Sequence, residues 1–231
     1  RGYIAAYDIN TGKPAWKART GDVYEGGGFP GPRSTPTVDG KRVYALDGLG
    51  NLLCLDAADG RVLWTHQWPC SYNIAYGTGP RATPTVADGK VFVLGAMGDL
   101  LCLEARTGKV VWHKHLKEEY GASSPIWGFA CSPLVEGGKV ICTVGGRGGT
   151  VMAFDAATGR EAWRALSAKE IGYSSPLLCT LEERLHRLEQ SGVDGVLLLP
   201  FTRKLAVREP ETFIRWLCGA PPRTGGAGQG G

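Results

Sequence analysis

The sequence predicts an all-β fold: a partial β-propeller of about four four-stranded blades, followed by a short α/β fragment and a disordered tail. Three observations predict it. A unit ending in tryptophan recurs four times, with spacings of 48, 48 and 51 residues between the tryptophans. Short apolar runs alternate with glycine-bearing turns, the pattern of β-hairpins. Glycine reaches 35 of 231 residues, and turn-rich β structure hosts glycine better than helices do. Sheets of four strands at a period of roughly 40–50 residues are the mark of a propeller.

Each blade is read from the same elements in the same order. The first strand begins at Pro36, Pro84, Pro133 and Pro176, where proline is tolerated because a strand's first residue or edge needs no ladder N–H. "STPTVDGKRVYAL", "ATPTVADGKVFVL" and "CSPLVEGGKVICTV" then read as strand, Gly turn and second strand. The third strand carries "YIAAY", "NLLCL", "DLLCL" or "TVMAF", each preceded by a glycine (Gly2, Gly50, Gly98, Gly149). An acidic residue, a glycine and a tryptophan close the blade in "DINTGKPAW", "DAADGRVLW", "EARTGKVVW" and "DAATGREAW".

That closing turn has a mechanism. The acidic side chain accepts hydrogen bonds from the following backbone N–H groups. The glycines Gly12, Gly60, Gly108 and Gly159 take positive φ cheaply. The tryptophans Trp16, Trp64, Trp112 and Trp163 are expected to wedge between successive blades, with the indole N–H bonded to a carbonyl. Three full periods and part of a fourth are present. The open sheet edges of such an arc call for missing propeller blades or for self-association.

The D-x-x-T-G-x-x-x-W unit preceded by "G-x-L-x-C-L" resembles the pyrroloquinoline-quinone-like (PQQ-like) β-propeller repeat, over residues 1–178. That repeat occurs in quinoprotein alcohol dehydrogenases, in the outer-membrane assembly lipoprotein and in exported bacterial proteins without an assigned role. The resemblance implies a periplasmic or extracellular location. It also raises two functions: a non-enzymatic binding or scaffold module, which is the preferred expectation, and a truncated quinoprotein oxidoreductase using PQQ and calcium. In the dehydrogenases the quinone lies beneath adjacent cysteines, over a tryptophan, beside a calcium. This chain has no Cys–Cys pair, so no cofactor, metal or catalytic residue is carried over.

Composition narrows the partners. The net charge of +4 is too small for a nucleic-acid surface, and no apolar run reaches membrane-spanning length. The seven cysteines contain no CxxC, which argues against a zinc site or a complete disulfide framework. Cys54 and Cys102 share one repeat slot with Ala6 and Ala153, so that slot asks for a small buried side chain.

The candidate ligand site lies in the loops before each first strand: "GPRSTP", "GPRATP", "GFACSP" and "GYSSP". In a propeller these loops ring one mouth of the central channel. Arg33 and Arg81 repeat there at 48 residues, beside Trp127 and Tyr173. Arginine and aromatic groups suit a protein or a small anionic or sugar-like ligand. His113 and His115 share one strand face, as a metal pair does. With only Glu118 and Glu119 following, they are expected to be an exposed pair.

Residues 179–218 read differently. Thr180 and Glu183 have capping-box spacing, Leu181, Leu185 and Leu188 form one apolar stripe, and "GVLLLPF" reads as a buried strand. The run "LEERLHRLEQSGVDGVLLLPFTRKLAVREPETFIRWL" resembles part of the adenylyltransferase domain of bifunctional riboflavin kinase/FAD synthetase, over about residues 177–217. The nucleotide motifs of that family are not in it, which implies an inactive FMN adenylyltransferase remnant. The junction falls at Pro176–Thr180, and residues 219–231 are expected to be a disordered Gly-rich tail.

Overall fold

The computed structural model describes residues 2–21, 33–68, 79–146, 148–168 and 171–176. All belong to the first of the two units into which the chain divides, Arg1–Leu178. The expectations for 179–218 and 219–231 fall outside the described residues.

The described residues build one two-stranded and three four-stranded antiparallel sheets. Strands β1 (Gly2–Tyr7) and β2 (Pro14–Gly21) form the first blade. The second contains β3 (Thr37–Asp39), β4 (Arg42–Leu46), β5 (Leu52–Asp56) and β6 (Val62–His66). The third contains β7 (Thr85–Ala87), β8 (Lys90–Leu94), β9 (Asp99–Glu104) and β10 (Val110–His115). A five-residue helix, α1 (Leu116–Tyr120), follows. The fourth blade contains β11 (Leu134–Glu136), β12 (Lys139–Thr143), β13 (Val151–Asp155) and β14 (Glu161–Ala165). Within each four-stranded sheet the spatial order equals the chain order, so each blade is a plain meander. Each first strand starts one residue after Pro36, Pro84 or Pro133. Proline has no backbone N–H, and at this position no ladder bond needs one.

The closing turns are copies of one another. The N–H of Asp8, Asp56, Glu104 and Asp155 donates to the carbonyl five residues on, at 2.8–2.9 Å. The N–H of Gly12, Gly60, Gly108 and Gly159 donates back to the same acidic residue's carbonyl. The four glycines have φ between 67° and 74°, a conformation that costs any Cβ-bearing residue about 1–2 kcal/mol.

Core clusters lie between blades. Val43, Leu53 and Leu55 of the second blade pack on Ile4, Trp16 and Ala18 of the first. Tyr44, Leu52 and Cys54 pack on Val91, Val93, Leu101 and Leu103 of the third. Phe92, Leu100, Cys102 and Trp112 pack on Val140, Cys142, Met152 and Phe154 of the fourth. This alternation explains why β4, β5, β8 and β9 read as continuous apolar runs: both faces meet a neighbouring sheet.

The tryptophans sit at these seams. The Nε1–H of Trp16, Trp64 and Trp112 donates to the carbonyls of Ala57, Ala105 and Ala156, each in the next blade, at 2.9–3.1 Å. Each indole also lies against the next blade's turn glycine. A Cβ on Gly60, Gly108 or Gly159 would stand 2.4–2.7 Å from the ring of Trp16, Trp64 or Trp112. Burying an indole removes roughly 150–250 Å² from water, up to about 4–6 kcal/mol at ~25 cal/mol/Å². The single hydrogen bond adds about 1 kcal/mol, so apolar docking dominates and the bond fixes the ring's orientation. Trp163 differs. It is 39% exposed on β14, and none of the repeat-turn glycines stands against it.

Candidate functional site

The loops leading into the first strands are tied blade to blade. The Ser34 hydroxyl donates to the Ala82 carbonyl at 2.8 Å. The Thr83 N–H donates to Ser132 Oγ at 2.9 Å, and the Ser132 N–H to Ser175 Oγ at 2.8 Å. Hydroxyls of Thr37 and Thr85 donate to the carbonyls of Pro84 and Pro133. Glycine starts two of these loops for a steric reason: a Cβ on Gly79 would meet the Gly48 carbonyl oxygen at 2.8 Å, and one on Gly128 the Ala96 carbonyl oxygen at 2.7 Å.

The tied loops assemble the four residues predicted as a ligand site. The rings of Trp127 and Tyr173 lie 5.1 Å apart with a 36° tilt. Arg81 donates its Nε–H to the Trp127 carbonyl at 2.9 Å, which holds the guanidinium beside the aromatic pair. Burial pulls the Arg81 pKa below its ordinary value. The Arg33 charge pulls the same way, and Tyr173 opposes both. Arg33 and Arg81 therefore feel one another as like charges, an arrangement that an anion relieves. Trp127 keeps 45% of its surface exposed, and neighbouring Ile126 keeps 61%. An adjoining cavity of about 410 Å³ is lined by Ser123, Ser124, Pro125, Ile126, Ile171 and Tyr173. Ser124 Oγ is buried there without a hydrogen-bond partner. The repeat pointed to Arg33, Arg81, Trp127 and Tyr173. It did not point to Ser124, which occupies no repeating slot, or to Ile171, which precedes its loop glycine as Trp127 does.

The cysteines of the repeat slot serve packing. Cys54 and Cys102 are fully buried, and burial pushes their thiols up to about 11 and about 12. Neutral thiols of this kind are inert toward oxidation and metals. No two cysteines are consecutive in the chain, so the adjacent-cysteine element of the dehydrogenases' quinone site is not in it.

His113 and His115 share a face and are exposed, as the sequence led us to expect, and Asp99, which the sequence did not point to, stands beside them. Asp99 pairs with His115 across β9 and β10. Asp99 Oδ1 lies 3.1 Å from both His113 Nε2 and His115 Nδ1. Glu119 instead binds Lys114 Nζ at 2.7 Å and accepts the His115 N–H at 2.8 Å. Burial raises the Glu119 pKa, but these partners outweigh it and leave the carboxyl below its ordinary value. No helix among the described residues is long and apolar enough to cross a membrane.

The sequence profile of the family described as outer membrane protein assembly factor BamB matches residues 1–73 and 66–185. The match runs past Leu178 to residue 185. The crystal structure of BamB from Moraxella catarrhalis is similar with a TM-score of 0.55 and 20% identity, over 74% of this chain and 49% of that one. The chain thus spans about half the length of that protein. Quinohemoprotein alcohol dehydrogenase ADHIIG from Pseudomonas putida HK5 aligns at 30% identity and a TM-score of 0.46, over 58% of this chain and 20% of its own. Quinohemoprotein alcohol dehydrogenase from Comamonas testosteroni aligns at 28% identity and a TM-score of 0.45, over 58% and 21%. Among curated proteins no match is found. The adenylyltransferase resemblance of residues 177–217 has no counterpart in these matches.

Proposed function

From the family of the outer membrane protein assembly factor BamB, to which this chain belongs, we propose that it works as a non-enzymatic binding or scaffold module. The observation that carries the reading is the mouth cluster. Side chains from loops about 48 residues apart are linked: Arg81 donates to the Trp127 carbonyl, the Trp127 ring lies 5.1 Å from that of Tyr173, and the Arg33 charge acts on Arg81. Partly exposed aromatic faces next to paired guanidinium groups suit a carboxylate-bearing sugar or an acidic protein segment. The arrangement offers positioning and charge, with no nucleophile–base pair for turnover. A family role at the outer membrane favours a periplasmic or extracellular setting. The exposed face of β14 then receives a further blade or a second copy.

The test is a titration of the full chain, followed by tryptophan fluorescence, with a uronic-acid oligosaccharide and with an acidic peptide. Saturable binding of one of them is expected. Arg81→Ala and Trp127→Ala should each weaken it by about 1–3 kcal/mol, as loss of a charge-assisted bond or an aromatic contact does. Absence of binding by either ligand, or equal binding by both variants, rejects the mouth as the site. Added PQQ and calcium should change neither absorbance nor Tm. A clear shift would transfer the chain to the oxidoreductase reading.

A further inference from the structure

We propose that Asp99, His113 and His115 form a binding site for a divalent transition-metal ion of the zinc class, independent of the mouth cluster. The donor atoms already converge: one carboxylate oxygen and two imidazole nitrogens all lie within 4.8 Å of one another. The carboxylate oxygen is 3.1 Å from each nitrogen. Ligands bound at about 2.0–2.1 Å in a tetrahedron stand roughly 3.3–3.5 Å apart. An ion can therefore replace the shared protons with small side-chain rotations and no backbone shift.

The fold keeps this convergence in place. His113 and His115 are two apart on β10, so their rings project from one face with centroids 4.1 Å apart. Asp99 is directly opposite His115 in the ladder. Glu119 pins the backbone at His115 by accepting its N–H.

The donor chemistry selects the ion. Two imidazoles and one carboxylate suit zinc, cobalt, nickel or copper, whereas calcium and magnesium demand oxygen ligands. Three protein ligands leave a fourth position for water. The graded exposure of the side chains (13% for Asp99, 28% for His113, 51% for His115) puts that position toward solvent.

The experiment is a titration of the full chain with Co(II), read by its visible d–d bands, followed by displacement with Zn(II). The expected result is one equivalent bound with the band intensity of four-coordinate cobalt. His113→Gln and His115→Gln should each lower affinity by more than the ~10–100-fold that loss of a supporting outer partner costs, with circular dichroism unchanged. Asp99→Asn, which keeps the shape and removes the charge, should also weaken binding. The proposal fails if no band appears up to millimolar cobalt. It also fails if the spectrum is thiolate-dominated, or if the histidine variants bind as the unmodified chain does.

Discussion

Trp112 and Trp163 hold the same position in successive blades, and the two could hardly be more differently housed. Trp112 is 9% exposed, lies against Gly159, meets the Phe92 ring at a tilt of 44° and donates to the Ala156 carbonyl. Trp163 is 39% exposed, on a strand whose five residues are all exposed. The turn before each is the same in its acidic residue, Thr, Gly and Trp positions, so the repeat supplies the side chain and the next blade supplies its burial. Stability in such an array is a sum of blade terms and seam terms, and the indole is the principal seam term.

The largest expected effect breaks that contrast. Trp112→Ala should cost about 3–5 kcal/mol, the range for truncating a large buried aromatic. Trp163→Ala should stay within about 0.5 kcal/mol, as for an ordinary surface change. Urea unfolding of both variants measures the difference. Comparable losses would mean that Trp163 is covered in solution.

A smaller effect sharpens the same contrast from the glycine side. Gly12 and Gly108 share a positive φ, but a Cβ on Gly12 meets nothing within 4 Å and one on Gly108 meets the Trp64 ring at 2.6 Å. Both alanine variants carry the left-handed backbone cost of about 1–2 kcal/mol. Only Gly108→Ala adds an overpacking cost of about 1–3 kcal/mol. Thermal unfolding of the pair should separate them by that second amount, and equal values would remove the glycine dock from the seam.

Much of the fold was legible because its signals are local and repeated. The proline before each first strand, the glycine of the closing turn and the tryptophan after it each have a backbone or steric reason at a fixed offset. The alignment of the loops was legible for the same reason: Arg33 and Arg81 are one period apart, and successive loops are hydrogen-bonded to one another. What was missed depends on register or on unrepeated residues. Asp99 reaches His115 only because β9 and β10 pair in one register, and no motif records that pairing. Helix α1 is the one helix among the described residues, with Leu116 fully buried and Gly121 ending it in a left-handed conformation. The tryptophans were expected to behave alike, and the difference at Trp163 comes from what stands beside the blade.

The seam account is tested most directly by hydrogen exchange at the indole nitrogens, assigned through single Trp→Phe variants and followed by NMR. The Nε1–H groups of Trp16, Trp64 and Trp112, bonded across seams at 2.9–3.1 Å, should exchange slowly, opening only with the blades. The Trp163 indole should exchange at the rate of a solvent-exposed one. Rapid exchange at Trp64 and Trp112, matching Trp163, would contradict the claim that tryptophan docking joins the blades.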